Sequence, residues 1–255
     1  YDTVTCEASG CTADSETWRV VMEPIVTNVP GRNPIQLVAY YPQFLDYYPN
    51  CELETKQWFA RNMRGDWISF DCGANIGYYS ILFSCLSPKG QIYAFEPTVT
   101  SSMLVTNLQY HGVQNVEVVR LALGSRSGLR EDGIFRIWGA SPERAAYEFI
   151  TIDDFVQSRG ITRLDCIKID TDSYDLEVLQ GAQRTMVSLN PFIMVELNYA
   201  LAKRNQTVAQ ALRWLLEVGY VTCTIFDGEN FLLKRGFHCA GERAIVDVLK
   251  EKGSG

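Results

Sequence analysis

No run of eighteen apolar residues occurs in this chain of 255 residues, so nothing in it reads as a helix able to span a bilayer. There is no internal repeat and no low-complexity stretch, which sets aside repeat arrays and disordered tails as its main content. Positive charge is in short supply. The 23 Lys and Arg against 30 Asp and Glu leave a net charge of −7 and a pI near 5.0, which argues against nucleic-acid backbones and anionic membranes as partners. No Gly-x-Ser-x-Gly is present, so the nucleophile elbow of serine hydrolases is absent. What remains is 47% hydrophobic and 21% charged, enough to bury a full core. The length suits one α/β domain with an N-terminal extension.

Cysteine is not scarce, with eight residues. Cys72, Cys85, Cys166 and Cys223 lie in apolar runs and read as buried free thiols. Cys6, Cys11, Cys51 and Cys239 sit in polar surroundings, open to disulfides, to zinc with His238, or to neither. The reading places the chain in the cytoplasm. A lumenal or secretory location is the alternative, since a start at Tyr1 leaves room for a removed leader or anchor. Asn205-Gln206-Thr207 is both a glycosylation sequon and a candidate helix cap.

Residues 1–64 read as the extension and 65–255 as the main domain. Strands are expected over 18–26 and 35–41, around the turn from Asn28 to Pro34, and a helix over 53–63. Strands then follow near 67–71, 91–96, 116–121, 165–170 and 192–197, with helices near 75–86, 99–110, 175–188 and 207–218. Runs at 220–226 and 231–233 flank Asp227-Gly228-Glu229-Asn230, a hairpin signal. The pattern implies a Rossmann-like, seven-stranded, mostly parallel α/β sheet with helices on both faces and an antiparallel last strand. The stretch 124–150 is least regular and reads as an extra strand, around 134–138, with a loop over the pocket.

The densest signal spans residues 68–96: an apolar strand ending on Asp71, a turn with Gly73 and Gly77, an apolar helix from Asn75, and a second strand ending on Glu96. The glycines open the backbone to a ligand, and the helix start offers free N–H groups. Glu96, at the end of the second strand, stands where an acid takes a ribose diol. The third glycine of Gly-x-Gly-x-x-Gly is missing, its place taken by Ser80, which disfavours a dinucleotide. Asp71, Glu96, Asp170 and Glu196 each end an apolar run, and ligands bind at such carboxyl ends. Four carboxylates repel phosphates and suit a sulfonium with an ammonium, the charges of S-adenosylmethionine.

Phe-Asp-Cys-Gly-Ala-Asn-Ile-Gly, Ala-Phe-Glu-Pro, Thr-Ile-Asp-Asp-Phe, Ile-Lys-Ile-Asp and Pro-Phe-Ile-Met-Val-Glu follow in order across residues 70–196. In these motifs the chain resembles the FkbM family of class I S-adenosylmethionine-dependent methyltransferases. The resemblance implies O-methylation of a hydroxyl on a natural product, sugar or other small molecule. It also implies that Asp71, Gly73, Asn75, Gly77, Glu96 and Ala122 bind the cofactor, with Ala122 near adenine. Asp170, Glu196 and Asp172 are the candidate general bases, with His238 behind them. Asp170, Glu196 and Asn198 are oxygen donors at adjacent strand ends that could hold magnesium, although no metal is expected. The expected partner is a small-molecule or glycan hydroxyl acceptor. One block departs from the family: Asp-Val-Glu-Gly-x-Glu there is Asp170-Thr171-Asp172-Ser173-Tyr174-Asp175 here. The departure keeps a second reading open, a methyltransferase-like binding or scaffold domain.

Overall fold

The computed structural model describes residues 24–39, 43–135 and 141–252. A hairpin of β1 (Pro24–Thr27) and β2 (Ile35–Val38) is followed by the short helix α1 (Gln43–Tyr47) and by α2 (Leu53–Asn62). The core then alternates: β3 (Ile68–Cys72), α3 (Tyr78–Leu86), β4 (Gln91–Phe95), α4 (Ser101–Tyr110) and β5 (Val116–Val119). After β6 (Ala122–Leu123), β7 (Gly128–Ile134) and β8 (Glu143–Ile150) come α5 (Ile152–Ser158) and β9 (Cys166–Ile169). Next are α6 (Asp175–Gly181), α7 (Gln183–Ser188), β10 (Phe192–Glu196), a 3-10 turn (Tyr199–Arg204) and α8 (Val208–Val218). β11 (Thr222–Phe226), β12 (Asn230–Leu233), β13 (Arg243–Ala244) and α9 (Ile245–Lys252) close the described chain.

The main sheet runs β13-β11-β12-β10-β9-β3-β4-β5. From β10 to β5 every pairing is parallel, and β12 enters antiparallel between β10 and β11. The expected seven strands are all there. The eighth, β13, is a two-residue edge addition on β11. The irregular stretch is a seven-residue by eight-residue hairpin of β7 and β8, joined by β6 into a separate small sheet. The strand expected around 134–138 therefore ends at Ile134 within the described residues, and 136–138 lie outside them, as do 18–23, Cys6 and Cys11.

Strand alternation sorts the core into two layers. Phe70, Ile167, Ile169 and Val195 face the α5, α6 and α8 side. Cys166 and Met194 face the layer that holds α3 and the N-terminal hairpin and helices, through Leu37, Phe44, Tyr48, Trp58, Phe59 and Phe83. α3 is apolar nearly all round, YYSILFSCL, because both the sheet and this extension cover it.

Local capping explains where the expectations slipped. The single helix over 175–188 is two, because Gly181 passes against Gly124, whose carbonyl oxygen lies 2.1 Å from where a Cβ would be. α7 then needs its own cap, and Asp153 provides it, accepting from the amides of Arg184 at 2.9 Å and Thr185 at 2.8 Å. The cap of α5 itself is Thr151, not an aspartate. Thr207 of the sequon begins α8 in a capping box with Gln210. Cys85 is exposed, contrary to expectation, since it sits on the solvent edge of α3; Cys72, Cys166 and Cys223 are buried. Cys51 and Cys239 are free thiols, and among the described residues no group of three or more His, Cys, Asp or Glu is placed to hold a metal.

Candidate functional site

The turn after β3 is compressed by three residues with left-handed backbone, Gly73 at φ 86°, Asn75 at φ 48° and Gly77 at φ 96°. The helix consequently starts at Tyr78, three residues later than Asn75. The Gly73 and Ala74 amides both donate to the Phe95 carbonyl, at 3.0 and 2.9 Å, which ties the turn to the end of β4. Space beside the glycines is taken by the chain itself. A Cβ on Gly73 would lie 1.8 Å from the Asp170 carbonyl oxygen, and one on Gly77 would lie 2.6 Å from Leu104 Cδ1. These glycines are therefore required by the close approach of β3 to the loop after β9 and of α3 to α4, which the sequence reading attributed to a ligand alone.

Glu96 is locked at the end of β4. Its Oε2 accepts from the Asn75 amide at 3.0 Å, and Oε1 accepts from the Thr98 amide at 2.9 Å and hydroxyl at 2.6 Å. Burial pushes its carboxyl above the usual range, while these hydrogen bonds pull the other way. Asp71 is buried, accepts from Ser80 Oγ at 2.6 Å, and is pushed up to about 6 by desolvation, against the pull of Lys168.

Lys168, which the sequence reading did not single out, sits at the centre of the charge. It pairs with Asp71 in register across β3 and β9, and it shares a face with Asp170 two residues on. Its Nζ bonds Asp170 Oδ2 at 2.7 Å and lies 4.3 Å from the centre of the Tyr79 ring. Burial disfavours its charge, but Asp170, Glu52 and Asp71 outweigh that and hold the ammonium. A lysine between isoleucines in an otherwise buried strand was the signal available.

The acids around it divide. Glu196, half-buried at the end of β10, is raised to about 11 by desolvation and by the negative charge of Asp170. Asp172 is raised to about 7 by the same two causes. Asp175 does not belong to the reacting group: it is buried and fixes the loop, accepting from the Thr171 amide and hydroxyl and from the Ser173 amide. Ser173 holds φ 118°, a region suited to the glycine usual there, so the loop keeps its path at the cost of local strain.

One cavity of about 420 Å³ gathers Asp71, Gly73, Asn75, Glu96, Ala122, Asp170, Asp172, Glu196 and Asn198. Gly77 does not line it but caps the helix behind. His238 bonds Glu242 at the surface, and His111 bonds the Gln36 carbonyl; neither lines the cavity. The Asn198 oxygen already accepts from the Ala200 amide at 2.8 Å, and its amide nitrogen donates to Glu229, so of the three metal candidates it is occupied within the chain. Residues not foreseen complete the walls: Tyr47, Tyr48, Glu52, Tyr78 and Tyr79 from the hairpin-and-helix side, Phe135 and Tyr174 opposite.

A sequence model of the FkbM methyltransferase domain matches residues 71–222. The hexuronic acid methyltransferase AglP of Haloferax volcanii is 24% identical over 172 residues, 59% of this chain and 70% of that protein. Among solved structures, an FkbM methyltransferase from Methylobacillus flagellatus KT superposes with a TM-score of 0.52 at 15% identity, over 70% of this chain and 46% of that one. The present chain thus spans less than half of that protein, and the likeness is one of fold.

Proposed function

The chain belongs to the FkbM methyltransferase family, whose members depend on S-adenosylmethionine, and from that premise we propose that it methylates a hydroxyl of a small molecule or sugar in the strand-end cavity. The observation that carries this reading is the pair formed by Lys168 and Asp170, a carboxylate fixed by a buried ammonium at the rim of the cofactor turn.

The cofactor side fits the group the family uses. Asn75 Oδ1 is buried and without a partner in the chain, beside a Glu96 carboxylate already oriented by three hydrogen bonds. In this reading Glu96 takes the ribose hydroxyls, Gly73 and Asn75 flank the methionyl and ribose portion, Asp71 supplies negative potential for the ammonium, and Ala122 packs near adenine. S-adenosylmethionine supplies a methyl group on a sulfonium, so no side-chain nucleophile is needed. The protein's task is to align the acceptor, exclude water and receive a proton.

The three base candidates take different parts. Glu196, raised to about 11, keeps its proton at neutral pH and donates it in a hydrogen bond that orients the acceptor oxygen rather than acting as a base. Asp170, countered by Lys168, is the acceptor of the hydroxyl proton, taken late in the transfer. Asp172, close to half-ionised near neutrality, is the next holder of that proton. No metal is assigned a role in this reading, since alignment of the acceptor with the sulfonium needs none. A sugar acceptor is favoured by the hexuronic acid methyltransferase relative.

The experiment is transfer of labelled methyl from S-adenosylmethionine to a panel of hydroxylated acceptors, with and without EDTA. The expected result is transfer that survives the chelator and falls about a hundred-fold in Asp170→Asn. Full turnover in that variant removes Asp170 from the reaction, and reversible loss in EDTA returns the strand-end acids to a metal role.

A further inference from the structure

The family-matched region begins at residue 71, yet one wall of the cavity comes from before it. Glu52 stands at the N-cap of α2, where an acidic side chain ordinarily accepts from the first helical amides. It makes no such bond. The amides of Glu54 and Thr55 are capped instead by Asp227, at 3.1 and 2.9 Å, from the turn between β11 and β12. The Asp227 amide donates back to Glu54 Oε2 at 2.7 Å. This exchange across the fold frees the Glu52 side chain.

The freed side chain lines the cavity, and its Oε1 is buried with no hydrogen-bond partner in the chain. The Glu52 backbone is left-handed, φ 48° and ψ 44°, a conformation uncommon for glutamate and found where the surroundings impose it. On the same wall the buried Tyr78 hydroxyl also lacks a partner, and the Tyr79 hydroxyl faces Glu52. Buried polar groups left under-satisfied on one wall destabilise a fold unless a ligand or water completes them. Lys168 balances the charge of Glu52, while its short bond goes to Asp170. The wall is aromatic, with one acid whose charge Lys168 and Lys56 balance, which suits a flat, hydroxyl-bearing face.

We infer that the segment ahead of the family region contributes to the acceptor subsite, and that Glu52 hydrogen-bonds a hydroxyl of a hydroxylated ring packed against the tyrosine wall. The inference rests on the methyltransferase reading above. It assigns the choice of acceptor to Glu52 of the extension together with Tyr78 and Tyr79 at the start of α3, and the binding of the cofactor to the β3 turn and the end of β4.

The test uses the full chain, Glu52→Ala and Glu52→Gln. Calorimetry gives the Kd for S-adenosylmethionine, and labelled methyl transfer to a panel of methyl hexopyranosides gives KM and kcat. Expected in Glu52→Ala is an acceptor KM raised about ten-fold or more, with kcat moved far less. Cofactor Kd stays unchanged, and Glu52→Gln recovers part of the lost KM. An unchanged acceptor KM in Glu52→Ala overturns the subsite, as does a cofactor Kd that rises with it. Should the alanine variant not fold, Glu52→Gln decides alone: a KM equal to wild type overturns the inference. If the wild type binds cofactor and methylates no member of the panel, the sugar reading itself fails and the subsite falls with it.

Discussion

The proposed function divides the cavity into a cofactor half and an acceptor half, and the two are built on different terms. On the cofactor half, the Gly73 and Ala74 amides close on Phe95, and Glu96 receives three hydrogen bonds from Asn75 and Thr98. On the acceptor half, Glu52 Oε1 and the Tyr78 hydroxyl are unpartnered, and Glu196 and Asp172 are held above the usual carboxylate range. The first half is largely fixed by the chain, although Asn75 Oδ1 is left unpartnered and burial raises Asp71 and Glu96 as well. The second stores unfavourable burial that a ligand and its proton relieve, as expected where a fold gives up stability for chemistry.

Lys168 joins the halves, so removing it gives the largest expected effect. In Lys168→Met, Asp170 and Asp71 lose the buried cation that balances them. The loss of stability should be about 3 kcal/mol, the low end for breaking a buried pair, because Asp170 reaches solvent. Chemical denaturation measures it, and an unchanged midpoint would show that the acids do not depend on Lys168.

A smaller effect follows from pH. Desolvation holds Asp71 at about 6 and Asp172 at about 7, both above the unfolded value of 3.8. The folded state therefore binds protons that the unfolded state has released, and stability rises as pH falls from about 7 toward 4. Melting curves from pH 8 to pH 5 should show Tm increasing, with a shallower slope in Asp71→Asn. A Tm that falls over that range would mean that these carboxyls are not strained in the fold. The smallest effect belongs to the cap that frees Glu52: Asp227→Ala should cost about 1 kcal/mol, as loss of a helix N-cap does, read as a shift in denaturation midpoint. No shift would show that α2 does not need this cap.

The same division governs what could be read from the sequence. The cofactor half is local: Asp71, Gly73, Asn75 and Glu96 lie within one strand–turn–helix–strand unit, so spacing alone brought them together. The parallel strands and the antiparallel β12 followed from alternation and the Asp227-Gly228 hairpin, whereas the strand order came only with the structure. The acceptor half depends on contacts across the fold. The Asp227 cap on α2 joins residues more than 170 positions apart, and no local pattern announces it. The break at Gly181 needed the approach of Gly124, and the split between Asp170 and Glu196 needed burial and mutual charge. Lys168 was visible as an anomaly in an apolar strand, but its role required its neighbour Asp71 and the Tyr79 ring to be placed.

The most direct test of the account is titration calorimetry of S-adenosylmethionine into the wild-type chain and into Glu96→Ala. The account predicts one site in the wild type and a Kd raised about ten-fold or more in the variant, since a hydrogen bond to a charged group is worth roughly 1.5–3 kcal/mol. Equal affinity in the two proteins, or no binding to the wild type, would contradict it.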